Sequence, residues 1–454
     1  MVMYTKYIEL LKRETNYNKD IIYREKNVRG KKIYIIFSES LTDGSSISEY
    51  IIKSLDEIKK DKKAIINDIY NFKVIEINTY DEIVEYINNG FTIILSKNYI
   101  FALETKNKSK RSIDIPKGEN TIRGAKDAFT EDFQTNIYLI KKRIKNKNLW
   151  IKEYKVGNYT KTTVDILYIN GKVDNKILKT INEKLENANI DGILNSGAIK
   201  SIIGESNINP MPTTITTERP DRVSKELLKG KIAIIVDNDP YVLIVPAFLN
   251  DFFKTTEDYS EKNINSSLTR ILRYLSFYIA LFTPALYIAL ITYNQEMLPT
   301  EFLVNFAMQR STVPFPAFFE AFMMITCFEI LRESDIRSSG FVGSSLSIVG
   351  ALILGEAAVS AGIVSPIMII VVALTAISSL PFSEYELVNG LRWYRILFMI
   401  GASTLGMIGI VYAFIYFIIN LSATNLFGKP YLMPFVPTNF KSLKDSIIRI
   451  NRKE

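Results

Sequence analysis

The residues best able to do chemistry in this chain are carboxylates set in apolar sequence. Glu320, Glu329 and Glu333 lie with Arg332 in PFPAFFEAFMMITCFEILRE, and Glu356 is the one acid among positions 341–380. A charged side chain in lipid costs about 2.5–3.5 kcal/mol on insertion scales, so such groups face protein or water. Glu320 and Glu329 are nine residues apart, ~900° of helical rotation, and therefore lie on opposite faces. Glu329, Arg332 and Glu333 suit an internal ion pair at a membrane boundary, or a cation-attracting vestibule. Glu356 reads as pathway lining or an inter-helix contact, against a snorkelling surface group.

Two stripes run beside Glu356. Gly343, Ser347, Ala351 and Gly355 recur every fourth residue, and a small-residue stripe lets helices approach closely. Ser344, Ser345, Ile348 and Leu352 carry hydroxyls and then aliphatics. Around an axis, that order would suit a hydrated pore with a dewetting gate; within one subunit it is plain packing. Gly401, Gly406 and Gly409 in GASTLGMIGI read as packing glycines.

Absences bound the rest. The chain has no histidine and a single cysteine, Cys327. Ser-His and Cys-His nucleophilic pairs, His-ligated metals and internal disulfides are excluded. Cys327, in MMITCF, reads as a small packed side chain. Asp237 and Asp239 precede Pro240 and read as turn formers rather than metal ligands. With no P-loop and no GxGxxG, the expectation is a non-enzyme without cofactor or metal. The 56 basic and 48 acidic residues give +8, and they interleave through the front half. That pattern marks a solvated surface, not a nucleic-acid face.

The elements that must position these groups come in two kinds. KKIYIIF (31–37), KVIEI (73–77) and the pair FTIILSK and YIFALET (91–97, 99–105) predict strands. Thr42-Asp43-Gly44 supplies turn and cap chemistry before a predicted helix over 48–63, with another over 81–88. Residues 1–30 read as a charged helix and a loose lead-in. Phe129–Lys145 is amphipathic, with Phe133, Ile137, Ile140 and Ile144 on one stripe. TVDILYI (163–169), KIAIIVD (231–237) and YVLIVP (241–246) predict further strands, with helices at 175–187, 198–203 and 221–229. Asp221 suits that last helix's N-terminus.

Leu275–Tyr293, with Pro284 at its centre, 341–380, broken near Gly362–Pro366, and Ile396–Leu421 are runs of the length a bilayer demands, about 20 apolar residues each. The first 25 residues lack a signal-peptide core, so the front end should stay cytoplasmic. Arg270 and Arg273 flank the first span on that side. The resulting fold class is multidomain: two small cytosolic α/β lobes, then an α-helical integral membrane domain of four or five spans. The boundaries are 1–110, a connector 111–148, 149–260, 261–425 and a short basic tail 426–454. If Phe315–Leu331 crosses there are five spans, with the tail outside; if it lies along the interface there are four, with the tail inside.

The chain resembles the A subunit of spore germinant receptors, the GerA (GerABKA) family of endospore-forming bacteria. The resemblance rests on IRGAKDAFTEDFQTNIYLIKKRIKN, TERPDRVSKELLKGKIAIIVDNDPYVLIVPAFLNDFF, VPFPAFFEAFMMITCFEILRES, IVGALILGEAAVSAGIVSPIMIIVVALTAISS and GKPYLMPFVP. It implies a spore inner-membrane protein, oligomeric and ion-conducting, acting with a transporter-like B subunit and a lipoprotein C subunit. It leaves two alternatives: a non-conducting scaffold for those subunits, or a stage V sporulation paralogue that amplifies germination.

Overall fold

In the computed structural model, the described residues are 3–28, 31–53, 74–97, 99–107, 115–116, 118–119, 124–204, 209–337, 350, 354–438, 443 and 445–449. The chain separates into two compact units. One comprises 1–205 with 214–246, and the other 206–213 with 247–454.

The first unit holds two five-stranded antiparallel sheets of the same spatial order. β1 (Ile21–Val28), β2 (Lys31–Ser38), β3 (Val74–Glu76), β4 (Phe91–Leu95) and β5 (Ile100–Glu104) lie in the order 1-2-4-5-3. β6 (Leu149–Val156), β7 (Thr162–Ile169), β8 (Ile215–Thr217), β9 (Ile232–Val236) and β10 (Val242–Val245) lie as 6-7-9-10-8. The first sheet is covered on both faces, which is why IYIIF (33–37) is apolar throughout rather than alternating. Ile33, Ile35 and Phe37 pack with Ile47 and Ile51 on one face. Ile36, Ile93 and Leu95 pack on the other with Ile8 and Leu11 of α1 (Met3–Glu14) and Ile83 and Ile87 of α2 (Tyr80–Asn88).

The lead-in is corrected: residues 21–28 are not loose chain but the edge strand β1, paired with β2 from Ile21–Ser38 to Val28–Lys31. Its IIYREKNV carries three charged residues in eight because one side of an edge strand meets water. Asp43 accepts from the Ser45 amide at 3.2 Å as the cap of the next helix, whose described residues end at 53. The stripe of α3 (Phe133–Arg143) is buried, Phe133, Ile137 and Ile140 included. α4 (Asn175–Glu186), α5 (Ser196–Ile203) and α6 (Pro220–Leu228) complete the unit. Arg219 occupies the cap position of α6, and Asp221, in its first turn, receives the Arg219 guanidinium. Asp239 accepts the Tyr241 amide at 2.8 Å, a turn-forming bond.

The second unit is helical: α7 (Asn263–Thr292), α8 (Thr300–Arg310), α9 (Ala317–Arg337), α10 (Pro366–Ile377), α11 (Tyr385–Leu405) and α12 (Met407–Ala423). Among the described residues, α7 is the one helix long and apolar enough to cross a membrane. Ile396–Leu421 is corrected: it is not one helix but the parts of α11 and α12 that meet at Gly406. Gly406 has φ +62° and ψ −137°, a region open to glycine and costly for other residues. Gly406 is thus a turn residue. Gly401 and Gly409 are packing residues, since a Cβ on Gly401 would sit 2.7 Å from the Gly409 carbonyl oxygen.

Candidate functional site

Among the described residues of the helical unit, three clusters gather charged groups. The first caps a helix. Glu320, fully buried in the first turn of α9, accepts from the Ser365 amide at 2.6 Å and from the Ser365 hydroxyl. Ser365 is the cap residue of α10, so the carboxylate meets the positive end of that helix. Arg310, closing α8, brings Nε to 3.7 Å from the other Glu320 oxygen.

The second cluster gathers on Glu329. Arg392 approaches it at 2.7 Å, Arg332 at 3.3 Å and Arg395 at 3.6 Å. One carboxylate from α9 thus faces two guanidinium groups of α11 as well as its own helix's Arg332. Glu333 accepts from the Tyr385 hydroxyl at 3.1 Å. Arg395 is 3% exposed at its side chain and also donates from Nε to the Ala280 carbonyl at 2.8 Å.

The third cluster binds the neck to the tail. Asp258 receives Arg270 at 2.9 Å and Arg273 at 2.9 Å, and Arg270 reaches Asp445 at 2.9 Å. Tyr259 donates to Asp445 at 2.6 Å, and Arg449 donates to the Glu261 carbonyl at 2.7 Å. Burial works to raise the Asp258 carboxyl, but Arg273 and Arg270 outweigh it and hold the group below its usual value. Burial likewise opposes, and bonds from Tyr259 and Arg270 outweigh it, at Asp445, which is also lowered.

Of the residues singled out from spacing, Glu320 and Glu329 meet different partners. Gly355 is buried, its position for a Cβ 3.6 Å from Ile369, and with Cys327 it lines an apolar cavity of about 200 Å³. Glu356 is exposed, within the helical residues 354–360. Gly343, Ser344, Ser345, Ser347, Ile348, Ala351 and Leu352 lie outside the described residues. Spacing alone missed Asp258, Asp445 and the contacts of Arg392 and Arg395. Apart from Asp258, whose partners lie 12 and 15 residues away, they meet partners from distant segments, and only the arginines' position beside apolar runs hinted at them.

In class, then, this is an α/β front unit joined to a helical unit that buries ion pairs among apolar helices, with one helix of membrane-crossing length among the described residues. The model of the Bacillus/Clostridium GerA spore germination protein family matches residues 9–454, and the chain belongs to that family. It is 39% identical to spore germination protein KA of Bacillus subtilis (strain 168) over 98% of this chain and 84% of that one. To spore germination protein B1 of the same organism it is 36% identical over 92% of this chain and 88% of the relative. A crystal structure of the N-terminal domain of the A subunit of the Bacillus megaterium spore germinant receptor GerK3 is 29% identical. It covers 53% of this chain and 94% of its own, with a TM-score of 0.42.

Proposed function

We propose that the chain is the A subunit of a nutrient-responsive germination receptor in the spore inner membrane, and the part of it that forms an oligomeric ion-conducting assembly. The observation that carries the reading is the family match over nearly the whole chain, joined to a helical unit of unusual surface. On α12, Ile408, Val411, Tyr412, Ile415 and Ile419 are all exposed, an outward apolar face suited to lipid. The five-part division given above is kept, with the front lobes on the cytoplasmic side and transporter-like B and lipoprotein C subunits as partners.

The bond between Arg270, near the start of α7, and Asp445, in the tail, supports an even number of crossings, because it holds both ends of the helical unit together. Glu320 and Glu329 are each occupied by partners inside the subunit. That favours structural roles for them, and the exposed Glu356 is the acid suited to face a pathway. It equally lends support to the scaffold reading, in which the helices hold B and C subunits and conduct nothing.

Potassium release from spores separates the two. Spores lacking the chain should fail to release potassium to the receptor's nutrient. Spores carrying Glu356→Gln at wild-type protein level should release it more slowly. Wild-type release from the deletion strain on every nutrient would overturn the receptor reading. Unchanged release from the Glu356→Gln strain would remove Glu356 from the pathway.

A further inference from the structure

In an unbroken helix the Ala280 carbonyl would accept from the amide of residue 284, but Pro284 has no N–H to give. Ala280 is fully buried, so its carbonyl cannot turn to water. The donor comes from 115 residues away: Arg395 Nε, at 2.8 Å. The same guanidinium extends Nη1 to within 3.6 Å of Glu329 on α9. Thr283 adds to the break by donating its hydroxyl to the Ile279 carbonyl at 2.7 Å, a bond that bends helices.

We propose that Arg395 is the latch of a proline hinge in α7, a positioning residue that joins the freed Ala280 carbonyl to Glu329 so that bending of α7 moves α9. Both ends of α7 are held. Arg270 and Arg273 fix its start to Asp258, and Asn294, just past its end, accepts the Met407 amide at 3.0 Å. Motion between fixed ends concentrates where the hydrogen-bond ladder is broken. On the face of α7 turned away from Ala280 lies an open apolar cleft of about 460 Å³, lined by Tyr278, Phe282, Thr283, Ile410 and Phe414, which gives the bend room. Glu329 keeps Arg392 and Arg332 when Arg395 moves, so the latch can release without stranding a bare carboxylate. The inference rests on the receptor reading only for its signalling consequence, a route from the neck to α9.

The test is amide hydrogen exchange over residues 276–292 of the full chain in detergent micelles, for the wild type, Arg395→Met, Pro284→Ala and the double variant. Arg395→Met should speed exchange about tenfold or more, since that turn then opens more readily. Adding Pro284→Ala restores an amide to the Ala280 carbonyl and should return exchange to within about twofold of the wild type. No change in Arg395→Met, or a speed-up that Pro284→Ala does not reverse, overturns the latch. Should Arg395→Met fail to accumulate, wild-type levels of the double variant support the latch and absence of the double variant overturns it. In spores, Arg395→Met should shift the nutrient concentration for half-maximal ion release, and Pro284→Ala should restore it. An unshifted threshold alongside altered exchange overturns the hinge as a signal route and leaves the receptor reading standing. Wild-type spores whose release does not depend on the chain strike that reading instead.

Discussion

Arg270 and Asp445, 175 residues apart in the chain, meet at 2.9 Å, and Arg270 has no exposed surface. The neck before α7 and the segment after α12 are thereby one structural element, closed by Asp258, Tyr259 and Arg449.

Removing the shared cation should be costly. Arg270→Met leaves buried Asp258 with Arg273 and the Thr255 donors and takes from Asp445 its guanidinium, a loss of about 3–5 kcal/mol for a broken buried pair. The sign of the pH dependence follows from the lowered carboxyls. Asp258 and Asp445 lie below their usual value when folded, so their contribution is complete above the unfolded aspartate value and disappears as pH falls through the folded one. The melting temperature of the full chain in detergent should fall between about pH 5 and pH 3, and Asp258→Asn should flatten that fall. A profile unchanged by Asp258→Asn would contradict the assignment.

Asp165 has the opposite sign. It lies on β7 with 1% exposure and one carboxylate oxygen unpartnered, and burial pushes its carboxyl up to about 7. Lys19 acts to lower it, while Asp20 and Asp237 add to the rise. A raised acid favours the folded state when protonated, so its contribution is present at low pH and is lost as pH climbs through 7. Asp165→Asn should therefore stabilise the front unit at pH 8, by up to about 4 kcal/mol, and have little effect at pH 4. Hydrogen exchange of 162–169 at the two pH values measures it; equal effects at both would refute the burial argument.

Gly406 should accept no side chain. A Cβ there would fall 2.6 Å from the Asn294 side-chain oxygen and 2.7 Å from the Tyr293 Cβ, at a φ of +62°. Gly406→Val adds strain of about 1–3 kcal/mol to that clash and should abolish accumulation in the membrane fraction. Gly401→Ala, where backbone meets backbone, should lower the melting temperature without abolishing assembly. Wild-type levels of Gly406→Val would refute the turn.

What could be read from residue order follows from where each partner lies. β2, β4, β5, β7, β9 and β10 are interior strands or apolar runs whose neighbours cover both faces, so composition alone marks them. β1 and β6, IIYREKNV and LWIKEYKV, sit at sheet edges and carry too many charges to be distinguished from surface loops. Ile396–Leu421 reads as one span because hydropathy records apolarity, whereas the break at Gly406 is a matter of backbone angle. At the site, Glu320 stood out by its isolation, yet its partner Ser365 is 45 residues away and no spacing rule connects them. Pro284 was visible as a helix-interior proline. The donor that answers it, Arg395, depends on how α7 and α11 pack.

The claim everything else depends on is that lipid surrounds the helical unit, with neck and tail at one face. In a Cys327→Ser background, single cysteines at Lys262, Met297 and Thr438 test it through labelling by a membrane-impermeant maleimide on sealed vesicles. Positions 262 and 438 should label from the same face and 297 only from the other. Labelling of 262 and 438 from opposite faces, or of all three from either side, would contradict the account.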